Sequence, residues 1–85
     1  MPRFLIERTF PAGALDGVTD EVKKSINENN SALGVKWIHS YMNEDKTKTY
    51  CVYEGPSEEA IREAGNRNKT PIDRMVEIPR DLLPY

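Results

Sequence analysis

One imidazole, one thiol and a few strand carboxylates make up the chemical repertoire of this 85-residue chain. His39 is its only histidine and Cys51 its only cysteine. An imidazole is the commonest metal ligand and the usual proton carrier near neutral pH. A thiolate binds borderline and soft metals when a neighbouring cation or metal stabilises it. Glu7 and Glu77 add carboxylates able to ligate an ion or to work as an acid and base pair. Trp37, Tyr41 and Tyr53 recur at strand spacing around His39, as the aromatic walls of a ligand pocket would. Each residue also has a plainer reading. His39 can be a hydrogen-bonded strand histidine, and Cys51 a small packed hydrophobe. The glutamates can pair with Arg3, Arg8 or Arg74, and the aromatics can fill a subunit interface.

The ligand inventory constrains any metal site. A closed transition-metal site usually takes four or more ligands. The chain has no H-x-x-x-H or C-x-x-C spacing. Carboxylates, water or a second copy must therefore complete the set, and two-fold symmetry doubles every ligand at its axis. Gly-rich phosphate loops and nucleophile elbows are absent.

The elements that must position these residues read as follows. Arg3 to Phe10 is a strand, stopped by Pro11-Ala12-Gly13. Thr19 or Asp20 caps a helix whose apolar residues are Val22, Ile26 and Leu33, with Gly34 ending it. Val35–Met42 and Thr47–Glu54 form a hairpin. Gly55-Pro56 ends it, and Ser57 caps a second helix running to Gly65–Asn68. Arg74–Ile78 is the last strand, closed by Pro79. Leu82, Leu83 and Tyr85 are expected to dock. The order β-α-β-β-α-β is the ferredoxin-like pattern in a single α+β domain over residues 1–85. It places two helices on one face of a four-stranded antiparallel sheet and leaves the other face open, to solvent or to a second copy. The expected assembly is a dimer of the α/β-barrel type.

Alternation along the strands assigns faces. Phe4, Ile6, Arg8 and Phe10 are expected to face the helices with Val76 and Ile78, leaving Glu7, Met75 and Glu77 on the open face. A three-residue hairpin loop at Glu44–Lys46 sets His39 opposite Cys51, Trp37 opposite Tyr53 and Tyr41 opposite Thr49. A four-residue loop at Asn43–Lys46 sets His39 opposite Tyr50. A one-residue slip exchanges the faces. The first register is preferred, because it gathers Trp37, His39, Tyr41, Cys51 and Tyr53 on the open side with Glu7 and Glu77.

Composition narrows the partners. Apolar residues are 38%, charged residues 31%, and the net charge is −2. No basic stripe interleaved with aromatics exists, so nucleic acid is not the expected partner. The N-terminal run MPRFLIERTF is interrupted by Glu7 and Arg8, unlike a signal segment. No run approaches the roughly 18 apolar residues of a membrane span. With no disulfide available, the expected location is the cytoplasm.

PRFLIERTF, the W-x-H-S-Y…C-V-Y run from Trp37 to Tyr53, the P-S-x-E-A-I helix start and IDRMVEI together resemble the small bacterial family catalogued as domain of unknown function 4242. The likeness spans most of the chain and is weakest between Phe10 and Val35. It implies a ferredoxin-like dimer, and some members are described as nickel-binding. It thus implies a transition-metal site for Ni²⁺ or a similar divalent ion. His39 and Cys51 are the matching positions of suitable chemistry, with Glu7 and Glu77 as added candidates. Two other functions stay open. One is a ligand-binding or catalytic cavity like those of ferredoxin-like monooxygenases and isomerases, with Trp37, Tyr41 and Tyr53 as walls. The other is a structural or regulatory interaction domain.

Overall fold

In the computed structural model, which describes all 85 residues, strand alternation sets the architecture. Strand β1 (Arg3–Thr9) buries every second residue, Phe4, Ile6 and Arg8. Strand β3 (Lys48–Glu54) does the same with Thr49, Cys51 and Tyr53. The two strands pair antiparallel in matching phase, Phe4 with Tyr53, Ile6 with Cys51 and Arg8 with Thr49. Strand β2 (Lys36–Met42) pairs with the outer side of β3 and β4 (Arg74–Glu77) with the outer side of β1. The sheet order is therefore β2-β3-β1-β4. With α1 (Asp20–Ala32) and α2 (Glu58–Asn68) between the strands, this is the ferredoxin-like α+β fold. A short 3₁₀ turn at Ala14–Gly17, not expected from the sequence, precedes α1.

Both helices start as their sequences dictate. The Thr19 hydroxyl accepts from the Val22 N–H at 3.3 Å, and the Ser57 hydroxyl from the Ala60 N–H at 3.1 Å. Each satisfies an amide that the helix itself leaves unpaired. Gly34, with φ of 71°, turns the chain out of α1 in the left-handed region. Gly55 has a different reason to be glycine. A Cβ there would stand 3.0 Å from Ile61 Cγ1, so the end of β3 packs directly on α2.

The core is small. It comprises Phe4, Ile6, Val35, Cys51, Tyr53, Ile61 and Ala64. Helix α2 supplies two of these, whereas α1 buries only one side chain, Asn30. The apolar stripe of α1 runs Val22, Ile26 and then meets asparagine where a third apolar residue is due. Asn30 is instead held through its Oδ1, while its Nδ2 is buried without a partner. Asn68 Nδ2 donates to Asn30 Oδ1 at 3.0 Å, and Asn29 Nδ2 donates to Asn68 Oδ1 at 2.9 Å. This asparagine ladder ties α1 to α2. Replacing Asn68 by alanine removes both bonds and leaves the 1%-exposed Asn30 amide without its donor. A loss of about 1–2 kcal/mol in urea unfolding is expected.

Three expectations are corrected. The hairpin closes Met42 against Thr49, Tyr41 against Tyr50, Ser40 against Cys51 and His39 against Val52. Its loop runs over residues 44–47, one longer than the three-residue turn and one residue later than the four-residue alternative, with Lys46 at φ of 58° and the Asn43 carboxamide accepting from the Thr47 and Lys48 amides. A β-bulge at Ile38 then restores the expected pairing of Trp37 with Tyr53. In β4, Met75 pairs with Ile6 and packs on the core, and Glu77 pairs with Phe4. Both are thus on the helix side, and Val76 pairs with Leu5 on the open side. Finally, Leu82 and Tyr85 are 99% and 96% exposed, so the C-terminal residues do not dock on this chain.

Candidate functional site

The bulge at Ile38 decides which chemistry meets which face. It inserts one residue between Trp37 and His39, so their side chains leave the sheet on opposite sides. His39 and Tyr41 lie on the open face, and Trp37 and Ser40 on the helix face. The Trp37 indole N–H donates to the Ser40 hydroxyl at 2.8 Å, a bond the bulge makes available by putting both residues on one side.

The open face is built as cross-strand rows. His39, Val52, Leu5 and Val76 form one row. Tyr41, Tyr50, Glu7 and Arg74 form the next. The His39 and Tyr41 rings meet edge to face, with centroids 5.1 Å apart and planes at 88°. Both residues are exposed, Tyr41 by 64%. Glu7 shares this face, but β3 separates it from β2 by two strand spacings, about 10 Å. Its carboxylate instead approaches Arg74 Nη1 at 3.9 Å.

The helix face carries the other expected residues. Cys51 is 5% exposed, and its thiol donates to the Thr49 hydroxyl at 3.5 Å. Tyr53 is equally buried, and the Arg8 guanidinium lies over its ring, Cζ 5.3 Å from the centroid. Burial raises the Tyr53 phenol above its ordinary value of 10.0, partly offset by the Arg8 charge. A folded-state value above the unfolded one means that the folded protein holds its proton longer. The corresponding stability is fully present below pH 10.0 and is lost as pH rises through the folded-state value. Alkaline unfolding, followed by tyrosinate absorbance and circular dichroism, is therefore expected to be less steep in Tyr53→Phe than in the wild type.

Between this face and α1 lies a cavity of about 580 Å³. Of the α1 residues that line it, only Val22 and Ile26 are large and apolar, too little apolar volume to fill the layer. Trp37, Cys51 and Tyr53 line its floor, with Arg8 beside them. Trp37 and Tyr53 thus wall a cavity, though between the layers and not on the open face. Tyr41 is not among its walls. Arg8 was legible as helix-facing in the F-L-I-E-R alternation, but as a charge among apolar neighbours it also marked this cavity.

The four metal candidates do not converge. His39 and Glu7 share the open face at a distance, Cys51 is buried beneath it, and Glu77 lies on the helix side of the edge strand. No three His, Cys, Asp or Glu side chains gather into a group able to hold an ion. A closed site for nickel does not fit within one copy of this chain. No helix is long and apolar enough to cross a membrane.

Residues 4–78 match the family model of nickel responsive proteins described as SCO4226-like. The chain belongs to that family of small α+β proteins. Among solved structures it is similar to SCO4226 from Streptomyces coelicolor A3(2), whose crystal structure superposes with a TM-score of 0.66 at 20% identity. The alignment covers 94% of this chain and 99% of that one. At that identity the likeness establishes the fold. No curated protein matches the chain. The resemblance seen from Trp37 to Tyr53 had pointed to a related small family, and nickel is common to both descriptions.

Proposed function

We propose that this protein binds Ni²⁺, or a similar divalent ion, through His39 on the open sheet face, with a second copy completing the site. The carrying observation is the placement of His39. It is the only imidazole in a chain of a nickel responsive family, and it is exposed on the one sheet face that no helix covers. Imidazole suits Ni²⁺ among the first-row ions. The absence of a three-ligand cluster in one copy directs the site to a symmetric arrangement, in which two His39 side chains and water share the ion. Leu5, Val52, Val76 and Tyr41 give the same face an apolar character suited to a homodimer. This reading assigns Cys51 a packing role, and neither Glu7 nor Glu77 is needed as a first ligand.

The test is a calorimetric titration of untagged protein with Ni²⁺. Saturable binding near one ion per two chains is expected. His39→Ala should weaken it by about a hundredfold, in keeping with the loss of a ligand from a site of few ligands. Glu77→Gln should leave it unchanged. Unaltered affinity in His39→Ala, or no saturable binding in the wild type, would overturn the reading.

A further inference from the structure

We propose that the cavity between the sheet and α1 is a binding site for a small monocarboxylate with an apolar tail or ring, and that Arg8 holds its carboxylate. This is independent of the nickel reading, which concerns the opposite face of the sheet.

Arg8 carries the argument. It is 3% exposed, and its Nε is buried without a hydrogen-bond partner. None of the ion pairs in the structure involves it. Its guanidinium meets the side chain of Tyr53, a neutral phenol, and its Nε stays unpaired. A buried cation with no anion is costly, and the cost is offset only by a partner of opposite charge. No such partner comes from the protein, since the cavity wall contains no aspartate or glutamate.

The surroundings say what the partner is. Lys23, Arg67 and Lys69 are exposed and also line the cavity, so every charged residue of its lining is basic. Of these only Arg67 is paired, with Glu63 at 3.3 Å. Half of the lining residues are hydrophobic, among them Phe10, Leu15, Ile26 and Trp37. A volume near 580 Å³ lies within the range of sites that enclose small organic ligands. One deeply buried guanidinium in an apolar enclosure suits a monoanion presenting two oxygens in the plane of the fork. A free inorganic anion would leave the apolar walls wet, and a neutral lipid would leave Arg8 unpaired.

Trp37 is the only tryptophan and lines the cavity, so its fluorescence reports occupancy directly. Untagged protein is titrated with decanoate and, separately, with 1-decanol, which has the same tail without the charge. Decanoate is expected to change Trp37 emission saturably and to bind about tenfold or more tightly than the alcohol, the margin of one charged hydrogen-bonded pair. Arg8→Met should reduce decanoate binding to the level of the alcohol while leaving decanol binding in place. Equal affinities for acid and alcohol in the wild type, no saturable change with either, or undiminished decanoate binding in Arg8→Met would each overturn the proposal. The comparison of acid with alcohol is made on wild-type protein and stands even if the variant does not fold. Since His39 lies on the opposite face of the sheet and does not line the cavity, His39→Ala should bind decanoate as the wild type does in metal-free buffer.

Discussion

Ile6→Ala is expected to lower the stability of the protein by about 3–4 kcal/mol, the range for truncating a fully enclosed isoleucine. Ile6 is 0% exposed and sits on β1, the strand that pairs with both β3 and β4. Its cross-strand neighbours are Cys51 on one side and Met75 on the other, so the side chain is the centre of a seven-residue core. A domain of this length has a total stability of roughly 4–13 kcal/mol. The substitution therefore removes a large share of it, and the urea midpoint should fall steeply with little change in the slope. Leu5→Ala, one residue away on the open face, is the matched comparison. In a single copy Leu5 is only half-buried, so the cost should stay near 1 kcal/mol at low protein concentration. If a second copy covers that face, the cost grows with concentration in the range where the copies associate.

Arg8→Met is expected to act in the opposite direction, raising the stability of the ligand-free protein by about 2 kcal/mol. The side chain is as long as the arginine stem and apolar, so it keeps most of the packing while removing an unpaired buried charge. Replacing buried ionic groups by apolar side chains of similar volume has this sign. The gain is limited by the loss of the guanidinium stacking on Tyr53, a contact of about 1 kcal/mol. Thermal unfolding in ligand-free buffer checks it. A lower midpoint for Arg8→Met would mean that the charge is satisfied within the folded chain, contrary to its unpartnered Nε. A residue that costs stability in the empty protein is the usual signature of a functional site.

The fold was readable because its elements announce themselves locally. The F-L-I alternation of β1, the serine and threonine caps, Gly34 and the hairpin between two β-rich runs each have a local physical cause. The order of strands then follows from β-α-β-β-α-β topology. The site was harder, because it depends on parity. A strand places a residue on one face or the other, and a single extra residue reverses the choice. The turn after Met42 is one residue longer than the preferred reading, which by itself puts His39 opposite Val52 in place of Cys51. The bulge at Ile38 then sends Trp37 to the other face. Nothing in K-W-I-H-S-Y-M marks that bulge. It has no glycine, and its reward, the Trp37–Ser40 hydrogen bond, is visible only once the strands are paired. In β4 the short strand allowed either phase, and pairing with Ile6 selected Met75 for the core.

These reversals separate residues that the sequence had grouped. His39 and Tyr41 stay with the open face, where a metal ion or a second copy can reach them. Trp37, Cys51 and Tyr53 join Arg8 around the interlayer cavity. The protein thus has two chemically distinct faces of one sheet. One carries the single imidazole, and the other carries a buried guanidinium with aromatic walls.

The most direct measurement of the central claim is two-dimensional NMR of untagged protein during addition of Ni²⁺. The His39 ring resonances are expected to shift or broaden first, followed by those of Tyr41 and Val52 beside it, at half an equivalent of metal or less. Cys51 and Glu77, on the opposite side of the sheet, should be affected least. Perturbation centred on Cys51 or Glu77 with His39 unchanged would contradict it.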